Sequence, residues 1–176
     1  MKNNWNYSGL GQVRYGDETT YRLACRWLDD VCKTVEDWGC GCAYAKRFFN
    51  LAKYKGIDGS QNEYADVVGV DLADYKSDCD GLLLRHVLDH NLQWEQILVN
   101  ALKSFNIRMS LVFFRQFGQK TGVVSVSDSP LYPGVPDLEF CENDILPFIG
   151  SFIDHKDVIA VDPASRLIDT IYYLKK

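Results

Sequence analysis

The chain has 176 residues, a formal net charge of −5 and a hydrophobic fraction of 47%. That fraction supports one sizeable core and excludes an intrinsically disordered chain or a small scaffold held together by disulfides. The acidic balance argues against a protein that coats duplex DNA, because such proteins need a surplus of lysine and arginine to displace counterions.

The sequence shows no sign of a membrane or secretory segment. No apolar run approaches the ~20 residues that cross a bilayer, and the N-terminal stretch MKNNWNYSGLGQ lacks the apolar core of a signal peptide. We therefore expect a cytoplasmic protein that makes no membrane contact. In that compartment the six cysteines are expected to be reduced thiols rather than disulfides.

Hydrophobic periodicity predicts alternating helices and strands over most of the chain. Helical spacing of apolar residues predicts helices in GDETTYRLACRWLDDVCK, AYAKRFFNLAKYK and QWEQILVNALKSF. Five strands are predicted in TVEDWGC, YKGID, ADVVGVDL, CDGLLLRHV and IRMSLVFFRQF. Strands that alternate with helices form a parallel sheet with helical crossovers.

The last third of the chain has a different pattern. The stretch GQKTGVVSVSDSPLYPGVPD is rich in glycine, serine and proline, which predicts a loop or a covering insert. A helix is predicted in LEFCENDILPFIGSF, either continuous or interrupted at Pro147. The final stretch predicts two strands around a turn at Asp162-Pro163. Because no helix separates these two strands, we expect an antiparallel hairpin at one edge of a mostly parallel α/β sheet.

Two glycines follow the first predicted strand, in TVEDWGCGCAYAKRFF. Ligands of open α/β sheets bind beyond the carboxyl ends of the strands, and the first strand-to-helix turn is a common place. Gly39 and Gly41 lack a Cβ atom, so ligand atoms can approach the backbone there. Alone, the pair is equally typical of a simple tight turn.

Acidic residues end the next two predicted strands. Asp58 ends the second strand, where a carboxylate can accept both hydroxyl groups of a ribose. Asp71 ends the third strand, where a side chain can reach an adenine amino group. Alone, Asp58 is typical of a turn, but together with the glycine pair it predicts a site for a nucleoside cofactor.

The order of VEDWGCGCA, YKGIDGS, VVGVDLADY and DGLLLRHVLDHN resembles the class I S-adenosylmethionine-dependent methyltransferases. The first motif of that family matches Val35 to Ala43, with Ala43 in place of its third glycine. Its ribose-binding acid matches Asp58, and its adenine-side acid matches Asp71, with Leu72 as the accompanying backbone contact. The resemblance covers about residues 34–176 and implies a Rossmann-like three-layer sandwich.

The resemblance also implies a domain plan and a cofactor. The plan is a single methyltransferase-like domain over 1–176, with an N-terminal arm and covering helix (1–33), a cofactor-binding half (34–117), and an insert, helix and closing hairpin (118–176). The cofactor implied is S-adenosyl-L-methionine, with Asp37 near its amino group. Arg14 and Tyr15 either close over that end or belong to a surface arm. The complete implied set of cofactor-binding residues is Asp37, Gly39, Cys40, Gly41, Asp58, Gly59, Asp71, Leu72, Arg85, Tyr15 and Arg14.

Histidine residues supply the candidates for catalysis. His86 is predicted to act as a general base or a substrate contact, because the pKa of imidazole lies near neutrality. The alternative for His86 and His90 is a hydrogen-bonded histidine that packs the wall of the cleft. Arg85 and Arg115 either bind an anionic substrate or pair with nearby acids. Cys40 and Cys42 form C-x-C with no second pair, so no metal site is predicted.

The function implied is methyl transfer to a small molecule, a protein or peptide side chain, or an accessible RNA end. Duplex DNA is not expected, because the fourth predicted strand is followed by RHVLDHN instead of the box of amino-methylating DNA enzymes. A nicotinamide oxidoreductase is disfavoured, because Tyr44 occupies the last glycine position of G-x-G-x-x-G.

A non-catalytic cofactor-binding or scaffold subunit of a larger enzyme is the alternative. Only GSQNEYA separates the second and third predicted strands, so the crossover helix there has at most about two turns. Either this wall of the sheet is thin, or a partner chain such as a second copy of the protein covers it.

Overall fold

The structure is a computed structural model that describes residues 15–162 and 167–176. Its strands are β1 (Thr34–Trp38), β2 (Lys53–Asp58), β3 (Val67–Val68), β4 (Cys79–Arg85), β5 (Phe105–Phe113), β6 (Gly122–Val126), β7 (Pro136–Glu139), β8 (Ile153–Asp162) and β9 (Leu167–Lys175). Its α-helices are α1 (Glu18–Asp29), α2 (Trp94–Ser104) and α3 (Glu142–Ile149), and short 3₁₀ helices cover Tyr44–Phe48, Leu88–His90 and Gly150–Phe152.

Seven strands form one sheet in the order β3-β2-β1-β4-β5-β9-β8. Neighbouring strands from β3 to β5 are parallel, whereas β9 is antiparallel to both β5 and β8. The chain moves outward in one direction through β1, β2 and β3 and then returns to place β4 on the other side of β1. This reversal opens a crevice beyond the carboxyl ends of β1 and β4.

Helix α1 covers one face of the sheet. Asp17 caps it, since its Oδ1 accepts a hydrogen bond of 2.6 Å from the backbone N–H of Thr19. The apolar stripe of Ala24, Cys25 and Leu28 is buried against the sheet. Helices α2 and α3 pack on the opposite face. The prediction of a Rossmann-like three-layer α/β sandwich with an antiparallel C-terminal hairpin is therefore confirmed.

The helix predicted over AYAKRFFNLAKYK is wrong, because only the 3₁₀ helix Tyr44–Phe48 forms there. The carboxylate of Asp29, at the end of α1, accepts hydrogen bonds from the backbone N–H groups of Asn50, Leu51 and Ala52. These contacts hold the chain outside the helical conformation, so a tertiary interaction overrides the local periodicity.

Two further predictions need refinement. The third strand is only Val67–Val68, because Gly69 takes the left-handed conformation with φ of 71° and ends it. The stretch predicted as a loop or insert is an insert that contains β6 and the start of β7, which form an antiparallel hairpin. Helix α3 continues through Pro147 to Ile149, which decides between the two alternatives for that helix.

The crossover between β2 and β3 contains no α-helix in the described part of the chain, in agreement with the predicted shortened crossover. The predicted turn at Asp162-Pro163 extends beyond the described residues. Within the described ranges, no helix combines the length and apolar character needed to cross a membrane.

Candidate functional site

A cavity lies in the crevice beyond the carboxyl ends of β1, β2 and β4. Its empty space, counted out to the open solvent at its mouth, is about 1100 Å³. Its wall combines backbone turns, aromatic rings and ionisable side chains. The lining residues that bear on the predictions are Tyr15, Tyr21, Gly39, Cys40, Gly41, Asp58, Gly59, Asp71, Leu72, Arg85, His86 and His90.

The glycine turn forms one side of the cavity. Gly39 and Gly41 have φ values of 71° and 53°, in the left-handed region that glycine adopts without strain. The backbone N–H groups of Gly39 and Cys40 donate to the carbonyl oxygen of Ile57 at 2.8 and 3.1 Å, which ties the turn to β2. A Cβ atom on Gly39 would lie 2.5 Å from Cγ2 of Val87, so the turn and the segment after β4 approach closely.

We expect Gly39→Ala to lower the free energy of unfolding by about 2 kcal/mol or more. The left-handed conformation alone costs a side chain about 1–2 kcal/mol, and the clash with Val87 adds to that. Urea denaturation measures the loss. Gly122→Ala is the matched control, since a Cβ atom there meets nothing within 4 Å, and equal losses in the two variants would contradict the assigned role of Gly39.

Asp58 joins the glycine turn to the end of β2. Its Oδ2 accepts a hydrogen bond of 2.8 Å from the backbone N–H of Gly41, and its Oδ1 accepts one of 2.7 Å from the backbone N–H of Ser60. Burial raises the pKa of this carboxyl, while both backbone donors act in the opposite direction. Each oxygen keeps further lone-pair capacity, so the carboxylate can also accept donors from a ligand in the cavity.

Asp37 lies behind the cavity and is not among its lining residues. Its carboxyl is buried and accepts a hydrogen bond of 2.7 Å from the hydroxyl of Tyr54. Burial raises the pKa of Asp37 to about 7, and the nearby charge of Asp58 adds to this effect. Asp37 therefore places a titratable carboxyl group beneath the turn, and this group does not form part of the cavity surface.

The rim of the cavity on the β3 side is built by Gly59, Asp71 and Leu72. Leu72 is buried, whereas Asp71 is exposed and accepts a hydrogen bond of 2.9 Å from the backbone N–H of Ala73. A Cβ atom on Gly59 would lie 3.2 Å from the carbonyl oxygen of Val70. The side chain of Asp71 thus stabilises its own turn and borders the cavity from its outer edge.

Tyr15 and Arg14 are predicted either to close over the site or to belong to a surface arm. Tyr15 lines the cavity, and burial together with the neighbouring Cys42 raises its pKa to about 12, so its hydroxyl is protonated at neutral pH. Arg14 lies outside the described residues. Ala43 is buried in the left-handed conformation, with φ of 51°, and does not line the cavity.

Arg85 and His86 form the wall at the end of β4. The guanidinium of Arg85 lies 3.6 Å from the ring centre of Tyr21 and donates to Oγ1 of Thr20 at 3.0 Å. Nε2 of His86 lies 3.3 Å from Oδ2 of Asp169, near the start of β9. Burial, with the adjacent Arg85, lowers the pKa of His86 to about 4, so the imidazole is neutral at pH 7.

The β6–β7 hairpin contributes a second polar group near the cavity. Nδ1 of His90 lies 3.1 Å from Asp137, which also pairs with Arg115 at 3.2 Å. The His90 ring stacks on Phe114, with ring centres 5.2 Å apart. Arg115 is therefore paired with an acid from the hairpin, one of the two alternatives that the sequence left open.

Several residues of the site could not be identified from the sequence. Asp169 and Asp137 reach His86 and His90 from strands far along the chain, and Tyr21 comes from the face of α1. Cys40 lines the cavity, but burial raises the pKa of its thiol, which keeps it protonated. No group of three or more potential metal ligands occurs within the described ranges.

Comparison with known proteins finds neighbours by structure alone. No family model and no curated protein matches the chain. It is similar to a Burkholderia thailandensis 1,6-didemethyltoxoflavin-N1-methyltransferase with bound S-adenosylhomocysteine, with 17% identity, a TM-score of 0.66, and coverage of 91% of this chain and 79% of that chain.

Two other solved structures have the same fold. A magnesium protoporphyrin IX methyltransferase from Synechocystis PCC 6803 is 18% identical, with a TM-score of 0.63 and coverage of 97% of this chain and 90% of that chain. An O-methyltransferase from a Brevibacillus brevis multienzyme is 11% identical, with a TM-score of 0.64 and coverage of 88% of this chain and 71% of that chain. At these identities the likeness establishes the fold.

Proposed function

We propose that this chain, which has the class I methyltransferase fold, transfers a methyl group from S-adenosylmethionine to a small-molecule acceptor. The observation that carries the proposal is the position of the cavity at the reversal of strand order. There a glycine turn, a buried acid at the end of β2 and an apolar rim residue, Leu72, face one space. This arrangement suits a nucleoside with an attached amino acid.

The residues of the cavity fit the proposed cofactor. Gly39 and Gly41 line the cavity with backbone and no side chain, so ligand atoms can approach the chain there. In the proposal Asp58 accepts the ribose hydroxyls, and Gly59, Asp71 and Leu72 border the base. The sulfonium of the bound cofactor supplies an activated methyl group, so the protein mainly aligns an acceptor and removes a proton.

The remaining predicted residues have proposed roles around the methionine end. Asp37 contributes negative charge beneath the turn, where the cofactor's amino group would lie, although its carboxyl does not reach the cavity surface. Tyr15 covers this end, and Cys40 lines it. Arg85 adjoins it through the guanidinium held against Tyr21. His86 is the proposed catalytic residue, since its neutral imidazole lines the same cavity.

A small-molecule acceptor is favoured by the acceptors named for two structural neighbours. A protein or peptide side chain is the second acceptor class within this proposal. A non-catalytic cofactor-binding or scaffold subunit is the alternative, motivated by the short crossover between β2 and β3.

Isothermal titration tests the proposal. We expect S-adenosylmethionine and S-adenosylhomocysteine to bind with Kd values on the order of 1–100 µM, in the range typical of enzyme substrates, and NADH not to bind. Radiolabelled cofactor is then incubated with the protein and a cell extract that is separated into small-molecule and protein fractions. Absence of cofactor binding would refute the proposal, and binding without transfer into either fraction would favour the scaffold alternative.

A further inference from the structure

Three polar side chains, two of them buried and the third largely so, meet beside the cavity without completing their hydrogen bonds. They are Arg85 and His86 at the end of β4 and Asp169 near the start of β9. Nε of Arg85, Nε2 of His86 and Oδ2 of Asp169 are all enclosed, and none has a hydrogen-bond partner in the part of the chain that the structure describes. Buried polar groups are normally satisfied, so this cluster needs a functional explanation.

Asp169 and His86 approach each other closely at these atoms. Oδ2 of Asp169 lies 3.3 Å from Nε2 of His86 and 3.8 Å from a guanidinium nitrogen of Arg85. The distance to His86 is slightly longer than a formed N–H···O bond. Catalytic hydrogen bonds in ligand-free sites are often this long and shorten when the reactants bind.

The backbone of His86 is strained, which indicates that the surrounding structure holds this residue in place. His86 has a φ of 55°, the left-handed conformation that costs a non-glycine residue about 1–2 kcal/mol. Such strain persists only where the surrounding structure imposes it, and it occurs often at active sites. Here the ring packs beside Gly16, whose Cβ position lies 3.3 Å from Cε1, and beside Phe114, with ring centres 5.4 Å apart.

The two nitrogens of the His86 ring have different surroundings. Nε2 is enclosed and faces Asp169, whereas Nδ1 is the nitrogen left for a ligand in the cavity that His86 lines. The charged and titratable groups that act on the ring are the adjacent Arg85, Asp169 on β9 and His90 on the following 3₁₀ helix. A carboxylate beside Nε2 favours the tautomer with the proton on Nε2.

We propose that Asp169 is a positioning residue that fixes the Nε2–H tautomer of His86, so that Nδ1 takes a proton from a hydroxyl group on the methyl acceptor. This inference rests on the proposed methyltransferase function. In the step, the acceptor oxygen bonds to the methyl carbon as the carbon–sulfur bond breaks. The hydroxyl proton moves to Nδ1 and afterwards leaves to solvent, and the products are a methyl ether and neutral S-adenosylhomocysteine.

We assign a hydroxyl group as the methyl acceptor because attack by a hydroxyl depends on a general base more than attack by an amine does. A neutral amine already presents a free lone pair and loses its proton after attack, whereas a hydroxyl is a weak nucleophile until its proton leaves. Arg85 lies next to His86 on the cavity wall and stabilises negative charge that develops on the acceptor oxygen. Because the pKa of His86 is lowered to about 4, this base suits an acidic hydroxyl of the phenol or enol type.

Nitrogen-15 NMR of histidine-labelled protein tests the positioning role without any acceptor. At pH 7 we expect His86 in the wild type to carry its proton on Nε2, and Asp169→Asn to lose this fixed tautomer. Asp154→Asn is the matched control, because it removes the carboxylate 2.8 Å from Nδ1 of the exposed His155 and leaves His86 unaltered. A wild-type His86 with its proton on Nδ1, or an unchanged tautomer in Asp169→Asn, would overturn the proposal.

Two further measurements separate this inference from the proposed function. Asp169→Asn should bind S-adenosylhomocysteine within about threefold of the wild type, while the transfer rate falls about 100-fold or more, as for loss of an oriented base. The labelled product should release its methyl group under conditions that cleave ethers; label retained on nitrogen would overturn the hydroxyl assignment. A wild type that binds no cofactor would instead refute the methyltransferase function, with the tautomer still deciding the role of Asp169.

Discussion

Asp58→Ala is expected to weaken binding of S-adenosylhomocysteine by about 100-fold or more. The variant loses the proposed acceptor for the ribose hydroxyls and also the carboxylate that holds the N–H groups of Gly41 and Ser60. Hydrogen bonds to a charged group contribute about 1.5–3 kcal/mol each, and about 1.4 kcal/mol corresponds to a factor of ten in affinity. Isothermal titration at constant ionic strength measures the change.

Asp66→Ala provides the control for this prediction. Asp66 also holds a backbone N–H group of β2, since its Oδ2 accepts a hydrogen bond of 2.7 Å from Gly56, but it does not line the cavity. The control variant should lose stability and keep its affinity for the cofactor product. An Asp58→Ala protein that folds and binds within about threefold of the wild type would remove Asp58 from the proposed site.

The fold class could be predicted because the information lies in short stretches of sequence. The leucine run of β4 identifies a strand buried on both faces. The sequence predicts no helix between its last two strands, which indicates the antiparallel pairing that β8 and β9 adopt. Details set by tertiary contacts could not be predicted. The carboxylate of Asp29 holds residues 50–52 away from the predicted helix, and no local periodicity contains that contact.

The same distinction applies to the site. Gly39, Gly41 and Asp58 could be identified because one turn and one strand end, close in sequence, place them together. Asp169 reaches His86 only because β9 inserts between β5 and β8, a topology that no residue near His86 encodes. Asp37 is predicted from its place in the motif to lie near the cofactor's amino group. Its side chain accepts a hydrogen bond from Tyr54 and does not line the cavity, so that role stays a prediction.

Asp89→Asn is expected to remove much of the loss of stability that the protein shows as pH rises from about 4 to 8. Asp89 is completely buried next to the cavity wall. Its Oδ1 accepts a hydrogen bond of 3.4 Å from the backbone N–H of Phe114, and its Oδ2 has no hydrogen-bond partner among the described residues. Burial raises its pKa to about 8, and the charge of Asp169 adds to the shift.

The direction of this pH dependence follows from how many protons the folded and the unfolded protein bind. Between pH 4 and 8 the folded protein keeps the Asp89 proton, whereas the unfolded chain, with an ordinary carboxyl pKa, releases it. The free energy of unfolding therefore falls as pH rises through this window, by at most about 1.4 kcal/mol per pH unit, and is constant above it. The side-chain amide that Asp89→Asn introduces cannot ionise, so the variant gains stability relative to the wild type as pH increases.

Urea denaturation of both proteins at pH 5, 6, 7 and 8 isolates this contribution, because other shifted groups are present in both. Asp37, with a raised pKa of about 7, acts in the same direction as Asp89, and His86, lowered to about 4, acts in the opposite one. Both contributions cancel in the difference between variant and wild type. Asp30→Asn, at an exposed position, serves as the control.

If the difference between Asp89→Asn and the wild type is the same at all four pH values, Asp89 is not protonated in the folded protein. If the difference grows with pH, the residue next to the cavity wall is a neutral acid at pH 7. Asp169, whose charge contributes to the raised pKa of Asp89, also lies 3.3 Å from His86. The stability measurement thus also tests the charge distribution on which the proposed role of Asp169 depends.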